Sequence, residues 1–222
     1  LDSIARQIES SGGVAVSRPT DLNDGDAAAA LADFAIQTFG RIDILVNNAG
    51  NSTRVRSIRW VTPEEWESVF RVNVDAVYRL TQACLPDMLS RGEGTVITVS
   101  SIAALKPGGV GGVPYSAAKA ASLSLTQGLA NDLRASGIRA TTVIPGETDT
   151  PILEGRAKAP SSAAREMMMK PEDVASVILL CATIPSRAMI EQVVLSPTKP
   201  RDMDEELEAA RTKRSETSDI SS

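Results

Sequence analysis

Short apolar runs alternate with longer amphipathic stretches along almost the whole of this sequence. The runs fall at residues 14–16, 42–46, 95–99, 139–144 and 191–195, and the amphipathic stretches at 27–39, 63–89, 113–135 and 171–182. Short β-branched runs suit strands buried on both faces, whereas longer stretches with apolar residues three and four apart suit helices lying on a sheet. This alternation predicts an α/β fold, a doubly wound parallel sheet with helices on both faces. The first residues read as the end of a further helix, with Ile4 and Ile8 on one stripe and Gly12-Gly13 as its stop. With 222 residues, 42% of them apolar, one sizeable core and one domain over residues 1–198 are expected.

Composition removes several classes of function. A formal charge of −5 and a pI near 4.9, with no Lys/Arg cluster, speak against nucleic acid as a partner. There is no histidine, and Cys84 and Cys181 lie far apart without neighbouring ligands, so histidine-based triads are excluded and no metal site is expected. No apolar run reaches the ~18 residues of a membrane span and no basic-then-apolar leader opens the chain, so a cytoplasmic protein without a membrane partner is expected. Residues 199–222 are charged and then rich in Ser and Thr, which predicts a solvated tail with a short helix at most before disorder.

Parallel sheets of this kind gather their chemistry at the carboxyl ends of the strands. Asp21 follows the first run, Asn47-Asn48-Ala49-Gly50 the second, Ser100-Ser101 the third and Pro145-Gly146 the fourth. Tyr115 and Lys119 are one helical turn apart, which places a phenol and an ammonium on one face. An unperturbed tyrosine ionises near pH ~10, and each unit of depression needs about 1.4 kcal/mol of preference for the phenolate. A neighbouring cation supplies part of that preference. With a serine hydroxyl converging on the same substrate oxygen, the set suits carbonyl and alcohol redox chemistry. Plainer readings stand beside these. A Tyr-x-x-x-Lys pair also marks solvated helix faces, and Asn47 to Gly50 also forms an ordinary turn. Asp21 also suits the approach to a helix N-terminus before Ala27, and Asn73 is an unremarkable amide inside 63–89.

Taken together, Asn47-Asn48-Ala49-Gly50, Asn73 in Val-Asn-Val, Ser101, Tyr115-x-x-x-Lys119 and Pro145-Gly146 followed by Thr150 occur in an order that resembles the short-chain dehydrogenase/reductases. The likeness runs from about Asp2 to Pro197. It implies a Rossmann-like fold and an NAD(P)-dependent oxidoreductase in which Tyr115 is the general acid/base. Ser101 would hold the substrate oxygen, Lys119 would bind the nicotinamide ribose and depress the phenol, and Asn73 would hold a water in a proton relay. Asp21 would contact the adenine; Asn47, Ala49, Gly50, Tyr115, Lys119, Pro145, Gly146 and Thr150 would line the cofactor. Ser101 stands fourteen residues before Tyr115, one more than is common in the family, an excess that the glycine-rich loop 106–114 absorbs.

One departure is large. The family's Thr-Gly-x-x-x-Gly-x-Gly loop, which seats a pyrophosphate at a helix N-terminus, has no counterpart here. The resemblance therefore implies an N-terminally truncated fold, a piece of an enzyme of roughly 250 residues or more once a β-α-β unit is added. The positions that distinguish NAD from NADP are absent with it, and the ending Ile190 to Thr198 resembles family reductases that use NADP. A small-molecule carbonyl or alcohol is the implied substrate, shaped by residues 106–114 and 151–170. A homodimer or homotetramer through the helices at 63–89 and 113–135 is the implied assembly. The alternative is a cofactor-free binding or regulatory protein that retains the fold.

Overall fold

The structure, a computed structural model, describes residues 1–214. In chain order its elements are α1 (Asp2–Ser10), α2 (Gly25–Phe39), β1 (Ile44–Asn47), α3 (Pro63–Phe70), α4 (Ala76–Arg91), β2 (Gly94–Val99), α5 (Gly112–Leu133), β3 (Ile138–Pro145), α6 (Ser162–Glu166), α7 (Pro171–Thr183), β4 (Gln192–Leu195) and α8 (Asp204–Thr212). The four strands form one parallel sheet in the order β1-β2-β3-β4. Its register pairs Ile44 with Thr95, Thr98 with Thr142 and Val143 with Val193. Helices cover both faces, as the alternation predicts.

Local chemistry fixes where the helices begin. Asp24 caps α2 by accepting from the backbone N–H groups of Asp26 and Ala27, and Gly40 ends it at φ 83°. Thr62 and Glu65 form a reciprocal capping box at α3, with Pro63 in the first turn. Strand β2 is buried on both sides because its neighbours alternate between faces. Val96 packs with Cys84, Met88 and Ala130 on the α4/α5 side, whereas Ile97 packs with Val174 and Cys181 of α7 on the other.

Two expectations are corrected. Residues 14–16 do not form a strand: Val14 is 80% exposed and Val16 50%, in irregular backbone. A strand needs a partner for its backbone groups, and none of the described strands lies beside this run. Strand β1 is accordingly an edge, with Ile44 and Val46 half exposed. Over residues 199–214 the tail expectation holds for its short helix, present as α8, and is corrected for its solvation. Helix α8 docks against the body, and both Arg201 and Glu206 are nearly fully buried at their charged ends. Residues 215–222, the remainder of that expectation, lie outside the described residues.

Candidate active site

The long segment at 63–89 is not one uniform helix. Between α3 and α4 the backbone widens into a π-type turn over Arg71–Asp75, and Asn73 sits inside it. That widening turns Asn73 inward, where it is 1% exposed. Its amide nitrogen donates to the carbonyl of Val69 at 2.8 Å and to the backbone and side-chain oxygens of Asn51 at 2.9 Å. Its Oδ1 is buried without a partner among the described residues.

Across from it, β2 ends at Val99. Ser100 turns back into the body and donates to the Lys119 carbonyl at 2.9 Å, so its hydroxyl is already engaged. Ser101 faces the other way: its Oγ accepts from Ala103 N–H at 3.2 Å and lies beside the Tyr115 phenol. The two neighbouring hydroxyls thus meet different surroundings, and it is Ser101 that lies against the phenol. Tyr115 and Lys119 project from one face of α5, with Lys119 Nζ 5.6 Å from the Tyr115 ring centroid. The ammonium donates to Val99 O at 2.9 Å and is 4% exposed. Burial pushes its pKa down to about 8, because a dehydrated ammonium is disfavoured. Burial also raises the phenol; the Ser101 hydroxyl and the guanidiniums of Arg56 and Arg156 act against that rise.

Gly50 brings the two halves together. A Cβ built there would stand 2.9 Å from Asn73 Oδ1 and 3.3 Å from Lys119 Nζ. Glycine therefore keeps open an approach to both polar atoms that any other side chain would block. Asn47, 5% exposed, donates to Thr81 Oγ1 at 3.3 Å and carries a second buried Oδ1 without a partner. Asn47, Asn48 and Ala49 edge a largely apolar cavity of about 290 Å³ lined also by Leu22, Leu31 and Val77. Unsatisfied acceptors beside a glycine cradle and an ammonium suit a ligand rich in hydroxyl donors, as a nicotinamide ribose is.

The remaining residues are distributed around this centre. Asp21 lies on the exposed loop before α2, where its Oδ1 accepts from Asn23 N–H at 2.9 Å and from the Asn23 amide at 3.0 Å, which hold its carboxyl low. It does not cap α2; Asp24 does. Pro145 ends β3, and Gly146 donates to Leu195 O at 2.7 Å, an approach so close that a Cβ would stand 3.1 Å from the same oxygen. Thr150 precedes a 3-10 segment over Pro151–Gly155. Met168 and Met169 are buried while Met167 is 40% exposed, so the methionine run is mostly packing. Trp66 stacks on Phe70 at 4.7 Å between centroids, a structural use of the ring.

Several neighbours of the site carried no recognisable sequence signal. Asn51 orients Asn73. Arg56, 4% exposed, holds Gly111 O and Gly155 O at 3.0 Å each. Glu147, Arg156, Arg201 and Glu206 form a closed ring of ion pairs at 2.6–2.8 Å. Burial works against the Glu147 carboxylate, yet the Arg201 and Arg156 hydrogen bonds keep its pKa low. Among the described residues no group of three His, Cys, Asp or Glu is placed to hold a metal ion, and no helix is long and apolar enough to cross a membrane.

The comparisons bear on the family and the fold. The family described as short chain dehydrogenase matches residues 1–161. The chain is 33% identical to 3-oxoacyl-(acyl-carrier-protein) reductase FabG of Thermotoga maritima, over 87% of this chain and 80% of that protein. It is 32% identical to an uncharacterized oxidoreductase of Staphylococcus aureus, over 89% and 81%. Among solved structures, a metagenomic short-chain oxidoreductase in complex with NADP superposes with TM-score 0.75 at 31% identity, covering 90% of this chain and 81% of that one. A 3-ketoacyl-(acyl-carrier-protein) reductase from Brucella melitensis complexed with NADH superposes with TM-score 0.74 at 26% identity, over 88% and 83%. A parallel sheet with a serine just beyond a strand end and a tyrosine and lysine on the helix that follows fits a nucleotide-dependent oxidoreductase. The chain belongs to the short-chain dehydrogenase family, whose members depend on NAD or NADP.

Proposed function

We propose that this protein moves a hydride between nicotinamide and a carbonyl or secondary alcohol, with Tyr115 exchanging the proton on the substrate oxygen. The observation that carries the reading is the convergence of Ser101, Tyr115 and Lys119 beside the Gly50 cradle. A bound nicotinamide would supply the hydride for reduction and accept it for oxidation. In the reductive direction the carbonyl π bond opens toward oxygen as the carbon gains the hydride, and Tyr115 Oη delivers the proton to that oxygen. Ser101 donates a hydrogen bond to the same oxygen and stabilises the charge developing there. Lys119, a cation at neutral pH, favours the resulting phenolate. Its Nζ and Asn73 Oδ1 flank the ribose side, where Lys119 binds hydroxyls and Asn73 orders the water through which the phenolate regains a proton.

Asn47, Ala49 and Gly50 line the nicotinamide half, with Pro145, Gly146 and Thr150 opposite and Asp21 toward the adenine. NADP is proposed ahead of NAD, supported by the Ile190 to Thr198 ending and by the NADP complex of a 31% identical relative. The cofactor-free binding role is not favoured, because the full Ser101, Tyr115 and Lys119 set is retained. A homodimer or homotetramer through α4 and α5 is proposed; Tyr78 and Leu89 of α4 lie half exposed, and sedimentation equilibrium reads the assembly.

The test is consumption of NADPH, NADH and reduced nicotinamide mononucleotide with a panel of ketones and 3-oxoacyl thioesters. The mononucleotide carries the reacting ring and one ribose without the pyrophosphate, so it isolates the contacts proposed for Gly50, Asn73 and Lys119. Turnover that Ser101→Ala depresses supports the reading; no binding of any of the three nucleotides would count against it.

A further inference from the structure

Three guanidiniums and two carboxylates meet behind the phenol. Arg156 pairs with Glu147 at 2.8 Å and Glu206 at 2.7 Å, and Arg201 pairs with the same two carboxylates at 2.7 and 2.6 Å. That ring is neutral. Arg56 is left over. It is 4% exposed, forms none of the ion pairs among the described residues, and donates only to neutral oxygens: Ser52 Oγ, Gly111 O and Gly155 O. Its Nε is buried without a partner. Burial and the like charge of Arg156 lower its pKa to about 10, which still leaves it protonated at neutrality. A buried charge without a counter-charge is costly, and it points to an anion that completes the site.

The group placed to be that anion is Tyr115. Gly111, whose carbonyl Arg56 grips, is so close to the phenol ring that a Cβ on it would stand 3.5 Å from Tyr115 Cδ1. The carbonyl of Arg56 in turn accepts from Val113 N–H at 2.9 Å in the first turn of α5. Arg56 is thus fixed to the turn that carries the tyrosine. The other charges facing Tyr115 are accounted for. Lys119, on the same helix, spends a hydrogen bond on Val99 O. Arg156, from the 3-10 segment side, is held by Glu147 and Glu206. Ser101 contributes a neutral hydroxyl.

We infer that Arg56 is the counter-charge of the Tyr115 phenolate, a positioning residue that lowers the cost of ionising the phenol in addition to Lys119. The catalytic consequence rests on the oxidoreductase reading above; the electrostatic one does not. Arg56 also ties the segments around residues 52–56, 108–113 and 155 together, so a purely structural role is the alternative that the test must separate.

The chain contains two tyrosines, Tyr78 and Tyr115. In a Tyr78→Phe background the ultraviolet absorbance of tyrosinate therefore reads Tyr115 alone, with no cofactor or turnover, while circular dichroism tracks the fold. The phenol and the Arg56 guanidinium lose their protons over the same pH range, so the tyrosinate midpoint reads the pair: Arg56→Gln is expected to raise it by about one pH unit, and Arg56→Lys, which keeps a cation and loses the fork, to return most of that shift. Ser52→Asp, which neutralises the guanidinium in place and keeps its hydrogen bonds, is expected to raise the midpoint as well, whereas Ser52→Asn leaves it unmoved. If the Arg56 variants do not fold, the Ser52 pair decides. An unmoved midpoint in Arg56→Gln or Ser52→Asp, or an equal rise in Arg56→Gln and Arg56→Lys, overturns the inference. Failure of the nucleotide assays with this titration intact sinks the oxidoreductase reading and leaves the charge pairing standing.

Discussion

Lys119 carries its charge at a place that penalises it. An ordinary lysine titrates at 10.5, and burial brings this one to about 8. Unfolding restores the ordinary value, so between those limits the unfolded chain binds the proton that the folded chain has released, and stability rises with pH. Below pH 8 the full penalty remains, on the order of 3 kcal/mol. The clean window is narrow. Above pH 9 the unfolded thiols ionise while burial holds Cys84 protonated to about 11, which pulls stability the other way. Lys119→Met is expected to be more stable than the parent at pH 7, with the difference shrinking from pH 8 toward 9, as read by chemical denaturation at each pH. A constant difference across that range would contradict the burial argument. The same variant is expected to lose turnover, which is why so costly a charge is kept. At this scale the placement of Tyr115 and Lys119 on one helix face was legible from their spacing, whereas a shared role needed the residues that accompany them. Arg56 was not legible, because its burial is created by residues 111 and 155, far away in sequence.

The strands at 42–46, 95–99, 139–144 and 191–195 were legible as elements because each is a short run rich in β-branched or apolar residues set between longer amphipathic stretches. The run at 14–16 looks the same in sequence but stays irregular, since a strand is a property of a pair of segments and not of one. Periodicity also ran unbroken through 63–89 and concealed the π-type turn at Arg71–Asp75. That turn sets the position of Asn73, and the stretch after β1 sets Gly50 against it. Gly50 is not among the glycines with positive φ, so alanine there costs the backbone little and acts through its methyl alone. Gly50→Ala is expected to fold with a loss of about 1–3 kcal/mol, because the buried Asn73 amide must give way to the methyl, and to weaken reduced nicotinamide mononucleotide binding at least about tenfold, the equivalent of 1.4 kcal/mol. Fluorescence titration measures it, and undiminished affinity would remove Gly50 and Asn73 from the ribose side.

At the scale of the molecule, residues far apart in sequence close around one centre. The C-terminal segment read as a solvated tail because its charges show no apolar stripe. In the structure two of those charges, Arg201 and Glu206, are spent inside the ring with Glu147 and Arg156. Leu207 reaches the glycine-rich loop, where a Cβ on Gly109 would stand 3.7 Å from its methyl, and Arg214 lies over Trp60 at 4.5 Å. Such contacts span fifty residues or more and leave no local pattern to read. On the proposed reading, the sheet, the helices and the strand-end residues serve one arrangement, in which Tyr115 meets a substrate oxygen beside a nicotinamide. The most direct measurement is binding against turnover in Tyr115→Phe, using reduced nicotinamide nucleotide and a carbonyl substrate that the parent protein reduces. Loss of turnover by about 10²–10⁴-fold with nucleotide affinity unchanged is the expected result. Turnover at the parent rate in Tyr115→Phe would contradict the assignment of the phenol as the proton donor.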